Sequence, residues 1–425
     1  MNLTDGDKRK LDGGEGPAVQ HAMEHLLKMG EAFDAEEMVD LHTVHCFSDY
    51  RTVGDGGVNF YENLVNLGGH ISIPSSCEPM SMDRYNTDEF DWPEGYAEGQ
   101  QRIIDALAAL GVQPTFSCTH YLTANVPKFK SNMAWVEGNA TGFANTVIGA
   151  RGNREDAITS PMAAIARRIP KYGMLDPKNR VGDCLVEVDP SLIERVGGEG
   201  RRSADYQALG ALIGDFAYDR IPVVTGLPEY MENEELKALV TACSPAMTTT
   251  LMLLVGISPE ARTIEEAFGG KVPKDVDTIR ITEDNLREMY DQLEQTTKED
   301  VDIIVTGCPL KTLHEIQEVT DQLGQQKVAD GVKMYIFTDR ITYNMADDMG
   351  LVDTIKDAGA VLTTDTCSWC MPVETMFGPD KVIASDSMKM RRLLAGDGKP
   401  TWRYGTLTDV VDAAVTGKFK PSRWN

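Results

Sequence analysis

From residue 278 onward, short apolar runs alternate with amphipathic stretches of helical spacing, and that alternation restricts the fold more than any other feature. "TIRIT" precedes "DNLREMYDQLEQ", "VDIIVTGC" precedes "LHEIQEVTDQLG", "VKMYIFTD" precedes "ADDMGLVDTIKDAG", and "AVLTTDTC" follows. Apolar runs this short suit buried strands, and strands joined through helices make a parallel sheet with right-handed crossovers. The spacing therefore predicts an α/β fold. A C-terminal α/β domain is expected over 278–425, carrying Cys308 and Cys367. An N-terminal region of one or two α/β lobes is expected over 1–277, carrying Cys118.

The first half alternates too, less regularly. "PAVQHAMEHLLKMGEAF" has helical spacing, and "EMVDLHTVHCF" reads as a strand running into "SDYRTVGDGG", a polar glycine loop. "VNFYENLVNLGG" is helical and "HISIPSSCEP" is a short strand. "EGYAEGQQRIIDALAALG" is a helix before the strand "VQPTFSCTHYL". Residues 130–180 are rich in asparagine, arginine and glycine, as expected of a functional loop system or of a meandering connection with a solvated arginine face. No GxGxxG follows a strand and no GxxxxGKS/T occurs, so the nucleotide-binding fingerprints are missing.

Charge excludes one class of partner. The 425 residues carry 41 basic and 66 acidic side chains, for a net charge of -25. Such a surface repels nucleic-acid backbones, and an anionic substrate would need a local basic pocket. No apolar window approaches the roughly 18 residues of a membrane span. The N-terminus lacks an apolar secretory stretch, so the cytoplasm is the expected compartment.

Of eight cysteines, at 46, 77, 118, 184, 243, 308, 367 and 370, three follow strand-like runs. Cys308 ends "DIIVTGC", Cys367 ends "AVLTTDTC" and Cys118 ends "PTFSC". The carboxyl edge of a parallel sheet is where loops diverge and ligands bind. Thiols from separate units can converge there on an iron-sulfur cubane with one unligated iron, a Lewis acid suited to dehydration. The competing reading is of small buried apolar residues. "CSWC" also raises a redox or zinc reading, although no second CxxC follows.

The surrounding residues favour the cluster. "SCTHYL", "WVEGNATGFANTVIGARGNRE", "LVGISPEA", "GCP" and "TDTCSWCMP", ending in "SDSMKM", resemble the aconitase X family in its large-subunit form. "HCFSDYRTVGDGGVNFYENL" and "ISIPSSCEPMSMD" are similar to the family's N-terminal segments, so the resemblance runs from about residue 1 to 400 in motif order. It implies aconitase-like α/β/α domains around an interdomain cleft and a hydro-lyase acting on a small anionic hydroxy acid. Mevalonate 5-phosphate is the leading substrate, with cis-3-hydroxy-L-proline the alternative. Cys118, Cys308 and Cys367 match the ligands of an iron-sulfur cluster, expected as 4Fe-4S with one open iron. Glu137 and Asn139 match active-site positions, where a carboxylate can protonate a departing hydroxyl or simply pair with an arginine. Arg151, Arg154 and Arg180 suit carboxylate or phosphate capture, or buttress loops. Ser387 and Lys389 match a Ser-x-Lys stretch opening a helix, whose backbone N–H groups can hold an anion. His45, Ser48, Ser75 and Ser76 complete the expected substrate-binding set, though a lone histidine such as His45 is also a common core residue. The catalytic base is expected to be a serine on a separate small swivelling subunit.

The chain departs from the family pattern at several places. Leu310 and Leu253 replace histidines, Glu78 stands where an asparagine is usual, His120 replaces a proline, and Cys370 has no counterpart. A divergent paralogue that binds a cluster without turnover, and a thiol redox site at "CSWC", are the readings from other classes.

Overall fold

The computed structural model describes residues 1–196, 202–372, 377–394, 396 and 399–421. Its C-terminal sheet has five parallel strands in the order Val361–Thr363, Lys333–Thr338, Ile303–Lys311, Val382–Ser385 and Thr401–Tyr404. Counted along the chain this order is 3-2-1-4-5, so the direction of winding reverses between Ile303–Lys311 and Val382–Ser385. A crevice opens at the carboxyl ends of the two strands that flank such a reversal. Side chains alternate across the sheet with a period of two. Ile304, Ile336, Leu362 and Ala384 pack on one face with Ile316, Val319, Val410 and Val411 of flanking helices. Ile303, Val305, Tyr335, Phe337 and Ile383 face the other way, with Cys118, Cys308, Cys367 and Cys370. Burying each large aliphatic side chain in this way is worth about 1.5–3 kcal/mol.

Two further parallel sheets precede it. One runs Leu253–Leu254, Pro222–Thr225, Cys184–Val188, Asp277–Ile281, and the other Ser75–Cys77, Thr43–Cys46, Met133–Trp135. Met38–Asp40 pairs antiparallel with Arg168–Pro170. The strand containing "TIRIT", placed by spacing at the head of the C-terminal unit, pairs along Cys184–Val188 in the middle sheet. Among the described residues no helix is long and apolar enough to cross a membrane.

Several local expectations change. "SDYRTVGDGG" is not a loop but the start of the helix Tyr50–Asn66, which Asp49 caps by accepting the Arg51 N–H at 2.9 Å. Gly54, at φ +53°, takes the kink within it. "ADDMGLVDTIKDAG" contains a break, because Gly350 at φ +73° separates Arg340–Asp348 from Leu351–Asp357. "VQPTFSCTHYL" forms no strand. It is an irregular segment, with Phe116 at φ +43° and a 3-10 turn over His120–Leu122, tied to the three-stranded sheet by single bonds, with Ser117 N–H to the Cys77 carbonyl at 3.0 Å and Cys77 N–H to Thr115 Oγ1 at 2.9 Å.

Candidate active site

The reversal point in the C-terminal sheet sets the first residues. Cys308 lies in the irregular end of Ile303–Lys311, where pairing with the neighbouring strand shifts register after Thr306. Gly307 makes the bend at φ +105°, and a Cβ there would stand 2.4 Å from the Phe337 carbonyl oxygen. Across the reversal, Val382–Ser385 leads into Ser387 and Lys389. Ser387 Oγ donates to the Cys308 carbonyl at 2.5 Å. Cys367 sits on a turn beyond Val361–Thr363, in a loop pinned by the Met80 N–H to the Asp365 carbonyl at 2.8 Å. Cys118 follows Ser117, whose hydroxyl donates to Asp339 Oδ2 at 2.8 Å. Three thiols from three separate segments thus enter one apolar cluster, each 6–7% exposed.

Electrostatics links them. Burial pushes the Cys118 thiol well up, reinforced by Glu137, Cys367, Glu78 and Cys308. Burial likewise pushes Cys308 up to about 12, partly offset by Lys389. Cys367 is the exception, held below the usual thiol range first by the Cys370 thiol, against its own burial, and then by the Cys370 and Trp369 N–H groups. Thiols that oppose one another's ionisation gain most from a cation placed among them. Among the described residues no three His, Cys, Asp or Glu side chains gather tightly enough for a single metal ion.

Beside the cysteines lies a polar triad. Glu137 caps the helix Gly138–Phe143 by accepting the Asn139 N–H at 3.3 Å. Lys389 Nζ donates to Glu137 Oε1 at 2.8 Å and to Asn139 Oδ1 at 2.6 Å, and Asn139 Nδ2 donates to the Cys118 carbonyl at 3.3 Å. Burial alone would raise the Glu137 carboxyl, but the Lys389 charge and hydrogen bond outweigh it and hold Glu137 below the ordinary value. Burial and the neighbouring Glu137 raise Glu78 well above its own. Of these neighbouring carboxyls Glu137 is the more readily ionised and Glu78 the more reluctant.

Glu78 faces two histidines. His45 Nε2 is 3.3 Å from Glu78 Oε1, and the His45 ring stacks on His120 with centroids 3.7 Å apart. Burial, with the neighbouring His120, pushes His45 well below the usual imidazole range, and burial lowers His120 to about 3. His45 Nε2, Glu78 Oε1, His120 Nε2, Tyr121 Oη, Thr364 Oγ1, Thr366 Oγ1 and Ser368 Oγ are buried without a hydrogen-bond partner. Each such group costs about 1–3 kcal/mol. Their concentration around the cysteine loops marks this crevice as the place a polar ligand would complete.

Not every expected residue joins it. Ser48 and Ser76 do, the first donating to the Glu78 carbonyl and the second 2.8 Å from His45 Nδ1. Ser75 instead accepts the Gln113 N–H at 3.2 Å, on the far side of its strand. Arg180 is spent on Glu260, at 2.6 and 2.8 Å, and on the carbonyls of Met174 and Asn145. Arg151 approaches the same Glu260 at 3.9 Å. These two arginines buttress loops. Arg154 is exposed, stands beside Gly138, and has no ion pair among the described residues. The Ser-x-Lys helix, Met388–Leu394, has seven residues, and its first N–H groups are already used. Met388 N–H goes to Gln207 Oε1 at 2.9 Å and Met390 N–H to Ser387 Oγ at 3.2 Å. Its contribution is the Lys389 ammonium, not an anion nest. The motif pattern marks Glu78 as a departure able to serve an ammonium but not as a site residue, and the place of "PSSCEP" at the carboxyl end of Ser75–Cys77 is the signal that would have raised its standing.

Comparison with known proteins gives concordant matches. The aconitase X first domain matches residues 1–177, the second domain 182–291 and the third domain 301–416. The phosphomevalonate dehydratase large subunit of Methanothermobacter thermautotrophicus is 32% identical over 391 residues, covering 92% of this chain and 93% of that protein. Cis-3-hydroxy-L-proline dehydratase of Pseudomonas aeruginosa is 28% identical over 414 residues, covering 97% of this chain but 70% of that protein. The crystal structure of Thermococcus kodakaraensis aconitase X in its holo-form superposes with a TM-score of 0.83 at 25% identity, covering 97% of this chain and 100% of that one.

Proposed function

The chain belongs to the aconitase X family, and from that premise we propose that it is the large subunit of an iron-sulfur hydro-lyase that removes water from a small hydroxy acid. One observation carries the reading: Cys118, Cys308 and Cys367 enter a single buried cluster beside a Lys389–Glu137–Asn139 triad. The donor set fits. A cubane is wider than a single ion and takes its thiolates from further apart, and the three cysteines are the ligands the resemblance assigns. When bound, the cluster supplies a Lewis-acidic iron with a vacant position.

The chain's own residues supply the rest. Glu78, a buried acid with an unsatisfied oxygen, delivers a proton to the departing oxygen. Lys389 holds Glu137 ionised, and the pair with Asn139 orients the hydroxyl-bearing carbon. His45 and His120 form a neutral wall that excludes water. Arg154, exposed beside Gly138, is the cation available to a substrate carboxylate. The base that takes the C–H proton is a serine of a small partner subunit. The chain spans 93% of a relative named as a large subunit, and 70% of the hydroxyproline dehydratase, which leaves room in the latter for an additional segment.

We put mevalonate 5-phosphate first as substrate, with support from relatives named phosphomevalonate dehydratase large subunit. A hydroxy amino acid is the second reading, favoured by Glu78, which places a carboxyl rather than an amide in the crevice, where a substrate ammonium would favour its ionised form. The test is an anaerobic dehydration assay of the iron-reconstituted chain, with and without the small subunit, offered each substrate in turn. Turnover of mevalonate 5-phosphate only with both subunits is expected. Turnover of cis-3-hydroxy-L-proline instead moves the reading to the amino acid, and full activity of this chain alone contradicts the two-subunit account.

A further inference from the structure

The proposed chemistry uses Cys367 of "CSWC" but leaves Cys370 without a role. Cys367 Sγ and Cys370 Sγ stand 3.3 Å apart, and the Cys370 N–H points at Cys367 Sγ at 3.4 Å. Among the described residues no other two cysteine sulfurs are in hydrogen-bond contact. A disulfide needs its sulfurs at about 2.05 Å, so closure asks for little more than a side-chain rotation in each residue. The turn is fixed from outside. Arg51 donates to the Trp369 carbonyl and lies over the Trp369 ring, 5.3 Å from its centroid. Both thiols are buried, 6% and 5% exposed, which admits a small oxidant more readily than a bulky one.

We propose that Cys367 and Cys370 form a reversible dithiol–disulfide couple that closes when the cluster is lost, a modification site that protects the Cys367 ligand from irreversible oxidation. This rests on the reading of Cys367 as a cluster ligand. The oxidant is a peroxide. One thiol attacks the peroxide oxygen, the O–O bond breaks, and a sulfenic acid and water form. The second thiol then attacks the sulfenic sulfur, the S–S bond forms and a second water leaves. Two thiols are oxidised by two electrons and one hydrogen peroxide is reduced to two waters. A dithiol reductant restores both thiols by exchange. Without Cys370 the sulfenic acid at Cys367 has no thiol in contact to trap it and continues to sulfinic acid, which dithiols do not reverse.

The experiment uses the full chain, stripped of iron anaerobically and treated with one equivalent of hydrogen peroxide, followed by alkylation, peptide mass mapping and iron reloading. The wild-type chain is expected to lose two of its eight thiols, both in the peptide holding 367 and 370, and to reload iron after dithiothreitol. In Cys370→Ser the same treatment is expected to leave sulfinic acid at Cys367 and to cut reloadable iron about tenfold. All eight thiols surviving, a lost pair drawn from other cysteines, or full reloading of treated Cys370→Ser would each overturn the proposal. Iron content before stripping separates the two readings: a chain that never binds iron yet closes this disulfide sinks the cluster and keeps the couple.

Discussion

At the residue scale the site is an arrangement of buried charges, and the pairing of each decides what it can do. Glu137 and Lys389 have side chains 17% and 12% exposed, deep enough that neither charge stands well alone. Glu137→Gln leaves the ammonium without its counter-charge. The expected cost is about 3 kcal/mol in urea unfolding and a fall in kcat of about 100-fold or more in the two-subunit assay. Unchanged turnover would return Glu137 to a structural role. Glu155 offers a pH test away from the chemistry. Burial raises its carboxyl from 4.5 to about 7, against the Tyr172 hydroxyl that donates to it at 2.9 Å. A carboxyl raised in the fold binds its proton more tightly there than in the unfolded chain, so its contribution to stability is whole below 4.5 and lost as pH rises to about 7. Glu155→Gln keeps an acceptor for Tyr172 and removes the ionisation. At pH 8 it is expected to be more stable than the wild type by up to about 3 kcal/mol, with no gain at pH 4. At this scale the places of Cys308 and Cys367 beside the C-terminal sheet were legible, because a residue after a buried apolar run has a position the sheet dictates. Arg151 and Arg180 were not. Their fate depends on Glu260, 80 residues from Arg180 in the chain, and no local spacing reveals that partner.

Elements carried the placement of those residues. The C-terminal strands and the helices Glu283–Leu293 and Leu313–Leu323 follow the sequence periodicity, because each buries one face and spacing records burial. The helix Tyr50–Asn66 escaped it, since its first turns are polar and glycine-rich and stand on the Asp49 cap instead. Cys118 escaped in another way. Its sequence reads like a strand, yet the chain turns at Phe116, φ +43°, and single bonds and the Thr115 hydroxyl hold it, not a ladder. The most exacting element is the end of Ile303–Lys311, where Gly307 combines a left-handed φ of +105° with backbone of Phe337 on its Cα. Gly307→Ala meets both penalties and is expected to cost about 2 kcal/mol or more, measured by urea unfolding, and to lower iron loading through Cys308. Wild-type stability in that variant would mean that the bend does not set the cysteine.

The whole molecule brings together what no single sheet supplies. Cys308, Ser387 and Lys389 come from the two sides of one winding reversal, Cys367 from the loop after the edge strand of the same sheet, Glu78 from the end of the N-terminal strand Ser75–Cys77, Cys118 from the segment tied beside that strand, and Asn139 from the helix Gly138–Phe143. The order of strands, and the pairing of Asp277–Ile281 with the middle sheet, depend on contacts between distant segments and were not readable from periodicity. Motif order across the chain was readable, and it carried the family. The central claim is that three thiols hold one cluster, and iron and sulfide content after anaerobic reconstitution tests it most directly. The wild-type chain and Cys184→Ser, a cysteine of the middle sheet, are expected to bind about four irons each with a visible absorption band. Cys118→Ser, Cys308→Ser and Cys367→Ser are each expected to lose most of both. Full iron and an unchanged spectrum in any one of those three would contradict the account.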